Sequence, residues 1–149
     1  MTSLRSFFVA SIVAGTLPLL TSCAPAGAGQ PGAAALTPKQ AETLDKQLAG
    51  KEVGRPQNCI NDTNNYSSIR VSDDILLYRS SGNLVYRNDL KGGCPGFARG
   101  DDIMVVRKFG SQTCEGDFFH LVDRSSGIRG PTCVFGEFVP YRKPAGDAG

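Results

Sequence analysis

Apolar positions along this chain follow three successive patterns. Residues 7–20 form an almost continuous apolar stretch, residues 38–49 repeat at helical spacing, and the segment from residue 55 onward alternates short apolar runs with turns. The runs predicted as strands are 67–71, 75–79, 84–88, 103–109, 118–122 and 133–139. Short strands separated by Gly- and Ser-rich turns are typical of antiparallel sheets. The sequence therefore predicts an all-β fold, a small antiparallel sheet or barrel-like domain over residues 55–143, followed by a frayed polar tail at 144–149.

One short helix is predicted ahead of the β domain, over residues 37–50. Thr37 can serve as the N-cap, Pro38 suits the first helical position, and Gln40 stands where a capping box places Glu or Gln. Gly50 is a natural C-terminal stop. The apolar side chains that share one helical face are Ala41, Leu44 and Leu48. This stripe is thin, so we expect the helix to dock lightly on the domain.

The first 36 residues have the organisation of an export signal followed by a tether. Arg5 precedes the apolar stretch, which ends in Leu20-Thr21-Ser22-Cys23. A positive start, a short apolar region and small residues before a cysteine resemble a lipobox, in which the cysteine is lipidated and the signal is cut off ahead of it. Residues 24–36 are rich in Ala, Gly and Pro and carry no charge. We therefore predict a lipoprotein signal peptide at 1–22, lipidation of Cys23, and a flexible tether at 23–36 that extends to on the order of 40 Å.

The N-terminal segment has two other possible interpretations, a transmembrane helix and an ordinary signal peptide. A transmembrane helix needs about 20 apolar residues, and this stretch is shorter and interrupted by polar residues, Gly15 and Pro18. An ordinary signal peptide is the stronger rival, because Ala26-Gly27-Ala28 offers a small-x-small cleavage site. The residue after Cys23 is Ala24 and not Asp. By resemblance to bacterial sorting rules, Ala24 favours the outer membrane, with the domain facing the periplasm.

Charge and cysteine content narrow the class of protein further. Cleavage before Cys23 removes 22 of the 149 residues and lowers the formal net charge from +2 to +1, so the sequence gives no electrostatic argument for a nucleic-acid partner. Four cysteines remain, an even number in an exported chain, and they are too far apart for a typical structural zinc site. Two disulfides are expected, with three possible connectivities. We predict Cys94–Cys114, which closes one excursion of the chain, and Cys59–Cys133, which joins the two ends of the β unit.

Residues able to carry chemistry are few. His120 is the single histidine and lies within a predicted strand, and the paired acids suit turns better than a spaced metal site. No catalytic residue, metal site or cofactor is predicted. A possible binding face combines Tyr78, Arg79, Tyr86 and Arg87 on one predicted hairpin. Because neighbours on a strand point to opposite faces, we expect the two tyrosines in the core and the two arginines in solvent.

Between residues 59 and 141 the chain carries an ordered series of short motifs. They are Cys59-Ile60, Asp73-Asp74-Ile75-Leu76-Leu77-Tyr78-Arg79, Val85-Tyr86-Arg87-Asn88-Asp89-Leu90, Cys94-Pro95-Gly96, Cys114-Glu115-Gly116-Asp117 and Cys133-Val134-Phe135-Gly136-Glu137-Phe138-Val139-Pro140-Tyr141. In this order they resemble a domain-of-unknown-function family of small proteobacterial envelope proteins. Phe97 stands where the family pattern has a smaller aliphatic residue. The family has no assigned activity, so the resemblance implies an envelope location and transfers no catalytic residues.

The sequence thus leaves three functional hypotheses. The first is a lipid-anchored bacterial envelope protein that acts, without enzymatic activity, as a binding or structural component with an unknown envelope protein partner. The second is an inhibitor of an exogenous hydrolase such as lysozyme, although no inhibitory loop motif is found. The third is an unrecognised envelope hydrolase, for which His120 would be the residue to test. The membrane is contacted through the lipid anchor in the first hypothesis.

Overall fold

A computed structural model of the protein describes residues 35–61, 66–108 and 110–146. The predicted signal peptide 1–22, the lipidation site Cys23, most of the predicted tether 23–36, Phe109 and residues 147–149 of the predicted tail lie outside the described residues. Within them the chain forms a helix, a 3₁₀ turn at Phe97–Arg99 and a series of antiparallel strands. The elements are α1 (Pro38–Leu48), β1 (Glu52–Val53), β2 (Cys59–Asn61), β3 (Ser67–Arg70), β4 (Ile75–Ser81), β5 (Leu84–Asp89), β6 (Ile103–Arg107), β7 (Gln112–Cys114), β8 (Phe118–Val122), β9 (Arg129–Val134) and β10 (Phe138–Arg142). The predicted all-β class is confirmed.

The strands form three antiparallel sheets. The largest has the order β1-β10-β5-β4-β3, the second pairs β2 with β7, and the third has the order β6-β8-β9. All three sheets contribute to one central core, which includes Ile60 from β2, Leu76 from β4, and Phe119 and Leu121 from β8. Phenylalanines fill its middle, with the Phe119 and Phe135 ring centroids 4.9 Å apart. The third sheet therefore packs one face inward and leaves the other face outward.

Helix α1 covers the opposite face of the five-stranded sheet. Its Leu44 and Leu48 pack, together with Leu36, against a second apolar cluster formed by Val71, Ile75, Leu77 and Val85. The predicted capping box is present, because Thr37 accepts a hydrogen bond from the Gln40 amide and the Gln40 side chain accepts one from the Thr37 amide. No residue of α1 is fully buried. The helix is thus a light cover on the sheet, as its thin apolar stripe predicts.

Several predicted strand boundaries differ from the structure. The run 133–139 is divided between β9 and β10, because the backbone at Gly136 leaves one sheet and enters another. The amide of Asn88 holds this crossover: Nδ2 donates to the carbonyl oxygens of Gly136 (2.7 Å) and Glu137 (3.2 Å), and Oδ1 accepts from the Gly136 N–H (3.1 Å). The short strands β1, β2 and β7 were not predicted, and β1 begins the sheet before residue 55.

The predicted disulfide pairing is wrong. The structure joins Cys59 to Cys114 and Cys94 to Cys133, with Cα–Cα distances of 4.0 and 5.4 Å. The first bond follows from strand pairing, because Cys59 and Cys114 are directly opposite each other in the β2–β7 register. The second follows from the bridge between Lys91 and Val134, which brings the loop after β5 beside the end of β9. The excursion from Cys94 to Cys114 does not close on itself, because β6 pairs with β8 and β7 pairs with β2.

The two disulfides should differ in their accessibility to reductant. Cys94 and Cys133 are 0% and 1% exposed, whereas Cys59 and Cys114 are only partly buried. Mild reduction of the folded protein followed by alkylation should therefore label Cys59 and Cys114 first, as measured by peptide mass spectrometry. Linked peptides that join Cys59 to Cys133 or Cys94 to Cys114 in the unreduced protein would contradict the structure.

Removing either bond should also destabilise the fold by a similar amount. The bonded cysteines are separated by 55 and 39 residues. Loops of that length give about 4 kcal/mol each on the chain-entropy estimate, and we expect the double variants C59A/C114A and C94A/C133A each to lose a free energy of unfolding of that order. Urea denaturation measures it. A loss below about 1 kcal/mol in both variants would refute the prediction.

Candidate functional site

The four residues predicted as a possible binding face lie on two opposite surfaces of the β4–β5 hairpin. Tyr78 and Tyr86 are opposite each other in register, are each 8% exposed, and belong to the central core. Arg79 and Arg87 lie on the other surface, where Arg79 is exposed and the Arg87 Nε atom is 2.8 Å from Oδ1 of Asp89. This is the division that strand alternation predicts. The four side chains therefore do not form one surface.

The aromatic half of that set is part of the core packing. The Tyr66 ring makes edge contacts with both Tyr78 and Tyr86, at centroid distances of 6.0 and 5.9 Å. Burial raises the pKa of the Tyr86 phenol above its ordinary value, and the neighbouring Tyr66 adds to that shift. Tyr78 also packs against Phe135 and Phe138. These contacts show that Tyr78 and Tyr86 have a structural role in the core.

The acidic residues hold turns, as the sequence predicts for them. The Asp73 carboxylate accepts hydrogen bonds from the Gly96 and Ala98 amides, at 3.0 and 2.8 Å, and so orders the loop that carries Cys94. Asp117 accepts from the Cys114 amide at 2.8 Å. Asp123 accepts from the backbone and hydroxyl groups of the next turn, which hold the pKa of its carboxyl far below the usual range. Each of these carboxylates thus binds the backbone of a turn.

An open cleft of about 560 Å³ lies beside the Asp73 turn and is also lined by Gln40 and Arg99. Because the Asp73 carboxylate is already bonded to two amides of the cleft wall, its oxygens hold the loop in place. Among residues 35–61, 66–108 and 110–146, no group of three or more His, Cys, Asp or Glu side chains is placed to hold a metal ion. At this part of the cleft wall the Asp73 carboxylate therefore has a structural role.

A second surface stands out on the outward face of the three-stranded sheet. Strand register places its side chains together: Ile103 is opposite Val122, Val105 is opposite His120, and Arg107 is opposite Phe118. On the far side of β8, Phe118 is opposite Val134, His120 is opposite Thr132 and Val122 is opposite Arg129. We call this surface the β6–β8–β9 face. Its members are Ile103, Val105, Arg107, Phe118, His120, Val122, Arg129, Thr132 and Val134.

Three apolar side chains on the β6–β8–β9 face are open to solvent. Ile103 and Phe118 are each 43% exposed and Val105 is 36% exposed, although the alternate residues of the same strands pack on the central core. Single exposed apolar residues are normal on protein surfaces, but residues gathered on one face mark interaction sites. The face therefore combines an apolar strip with an arginine on each flanking strand.

His120 occupies the centre of this face and is itself only 5% exposed. Burial lowers the pKa of its imidazole below the ordinary value of 6.5, and Arg129 and Arg107 lower it further. The sequence prediction of a strand residue is confirmed by its place in β8. The groups that shift its pKa are cations, whereas a catalytic imidazole is oriented by an acid. His120 is thus neutral at pH 7 and leaves the middle of the face uncharged.

The sequence contains a pattern that points to this face, but the rule of alternating apolar and polar strand residues does not explain it. Residues 103–106 read Ile-Met-Val-Val and residues 118–119 read Phe-Phe, so both faces of these strands are apolar. Such runs are typical of strands buried on both sides. In a small antiparallel domain with one short helix, however, that helix can cover only one sheet. The second apolar face of the β6–β8–β9 sheet is left outward.

No protein-family model matches this chain, and neither the curated proteins nor the solved structures contain a significant match. In the described part of the chain, no helix is long and apolar enough to cross a membrane. The functional argument therefore rests on the residues and on the geometry of the domain.

Because His120 is the single histidine, it provides a test of the geometry at this face. Its lowered folded-state pKa means that the unfolded chain binds a proton near its pKa of about 6.5 when the folded domain does not. We expect the free energy of unfolding to rise with pH up to about 6.5 and then to level off, and to fall as pH drops below that value.

Urea denaturation at a series of pH values measures this dependence, with H120Q as the matched variant that does not titrate. The variant should lose the slope below about pH 6.5. Titration of the imidazole by NMR gives the folded pKa directly. A folded pKa at or above 6.5 would show that the imidazole is solvated.

Proposed function

We propose that this protein is a bacterial envelope lipoprotein that presents a disulfide-bonded β domain as a non-enzymatic binding or structural component. The observation that carries the proposal is the sequence Leu20-Thr21-Ser22-Cys23. It ends an apolar segment that follows the positively charged Arg5. The resemblance of residues 59–141 to a family of small proteobacterial envelope proteins agrees with it. Lipid on Cys23 would anchor the chain, and Ala24 directs it to the outer membrane, facing the periplasm.

The disulfides support this proposal in two ways. Two bonds within one small domain suit an oxidising compartment outside the cytoplasm. Of the five cysteines in the chain, four pair with one another, so the one that remains is Cys23. An odd cysteine in an exported protein calls for a separate role. Its position directly after Leu-Thr-Ser matches the role of a lipidation site.

The position of the helix is consistent with a tethered domain. Leu36 packs with α1 against the second apolar cluster, on the helix side of the five-stranded sheet. The segment 23–36 can extend to on the order of 40 Å. That length is enough to keep a domain of this size clear of lipid headgroups, because the radius of gyration of a 100-residue domain is about 13 Å. The anchored domain is then free to meet a partner.

Mass spectrometry of the mature protein from a bacterial host tests the anchor. We expect the N-terminus at Cys23 with a diacylglycerol on its sulfur, and we expect C23S to leave the membrane fraction or to stay unprocessed, because a hydroxyl cannot take the thioether-linked lipid. The matched control is S22A, which keeps a small residue before Cys23 and should be lipidated like the natural sequence. An unmodified mature start at Gly27 or Gly29 would identify an ordinary signal peptide instead.

A further inference from the structure

We propose that the β6–β8–β9 face is the docking surface for a partner protein whose own contact surface is apolar and carries carboxylates beside the apolar area. This deepens the proposed binding role by naming the surface and the chemistry of the partner. The apolar strip formed by Ile103, Val105 and Phe118 is the contact area. Arg107 and Arg129 flank it and would meet the carboxylates.

The charge on the face points to an acidic partner. Of its nine strand positions, two are arginines and none is a carboxylate. Within the described residues, neither Arg107 nor Arg129 forms an ion pair. Asp117 and Asp123, which adjoin the two ends of β8, accept hydrogen bonds from the backbone of their own turns. Both arginines therefore remain available to carboxylates from outside the domain.

Because the imidazole of His120 is neutral, a partner can cover the centre of this face and exclude water without desolvating a charge. A charged group in the middle of an interface carries a large desolvation cost unless it is paired. His120 is buried and its lowered pKa keeps it uncharged at pH 7. The centre of the strip can therefore be covered by apolar side chains, with charge confined to the flanks. An apolar centre and a polar rim are the usual anatomy of a protein interface.

A second copy of this chain is a poor occupant of the face. Packing the face against itself would bring arginines together, and no carboxylate on either copy's face would compensate them. Like charges placed across an interface cost several kcal/mol. A different protein with carboxylates on its contact surface would instead form ion pairs with these arginines.

A lipid surface is also a poor occupant. Sequence segments that bind anionic lipid surfaces carry clusters of about four to eight Lys and Arg, whereas this face has two arginines. Leu36 and α1 pack on the far face of the five-stranded sheet, and that sheet and the central core separate them from the β6–β8–β9 face. In an anchored domain this face can point away from the membrane.

Site-specific photocrosslinking in living cells tests the proposal on the full-length protein. A benzoylphenylalanine at position 118 replaces one aromatic ring with another on the face. The control position is Val53 on β1, which is 64% exposed and lies in the five-stranded sheet. We expect a crosslinked protein from position 118 and none from position 53. The crosslinked peptide of the partner should contain Asp or Glu near the attached residue.

Charge reversal separates specific docking from chance capture. R107E/R129E should lower the yield of the position-118 crosslink about tenfold, because like charges across an interface are strongly unfavourable. The matched control R55E/R79E makes the same change in net charge at two exposed arginines elsewhere and should leave the yield unchanged. Thermal unfolding of each variant confirms that the domain remains folded.

Each other outcome overturns the proposal. A crosslink to a second copy of the chain would identify self-association, and a phospholipid adduct would identify a membrane contact. Equal capture from position 53, no crosslink at all, or a yield unaffected by R107E/R129E would exclude an acidic partner at this face. The N-terminus of the same preparation shows whether Cys23 is lipidated. Failure of the docking proposal is thereby distinguished from failure of the proposed anchor.

Discussion

The crossover at Gly136 depends on the amide of one buried asparagine, and the rest of the structure depends on that crossover. Asn88 is 0% exposed and uses both its N–H₂ group and its carbonyl oxygen on the backbone of Gly136 and Glu137. A buried amide without such partners would cost a few kcal/mol. Here the three bonds fix the point at which the chain passes from the three-stranded to the five-stranded sheet. A side chain at Gly136 would collide with the Asp89 carbonyl oxygen, so the close approach requires glycine.

Other contacts surround this crossover and explain why it can hold three sheets together. Phe135 and Phe138, on either side of it, are both fully buried in the central core. Just before it, Cys133 is bonded to Cys94, and the Asp73 carboxylate orders the loop after Cys94. In the two-stranded sheet Cys59–Cys114 joins β2 to β7, and the sheet is held on the domain by Ile60 in the central core and by the bridge between Gln57 and Phe138. A β domain of this size has a small core, so covalent bonds between short elements replace part of the stabilisation that a larger core would supply.

Local features of the sequence predicted the helix and most of the long strands, because caps, alternation and turn residues act over a few residues. The capping box at Thr37 and the β4–β5 hairpin are examples. Features set by distant partners were missed. The break in the run 133–139 is imposed by Asn88, 48 residues away from Gly136, and the pairing of Cys59 with Cys114 is imposed by a strand register that spans 55 residues. His120 lies at the centre of an exposed apolar face because the helix covers the five-stranded sheet and not this one. The alternation of residues along a strand does not show which sheet a helix will cover.

Within β6, alternate residues lie on the two faces of the sheet, one facing the core and one facing outward. Met104 and Val106 pack on the central core, whereas Val105 between them lies on the outward face and is 36% exposed. An apolar side chain in solvent does not stabilise a fold, since the hydrophobic effect requires burial. Threonine, which is also β-branched and favoured in strands, would place a polar group at this exposed position. Folding therefore buries only part of the apolar surface at the outward positions on β6 and β8, and the proposed interface would bury the rest.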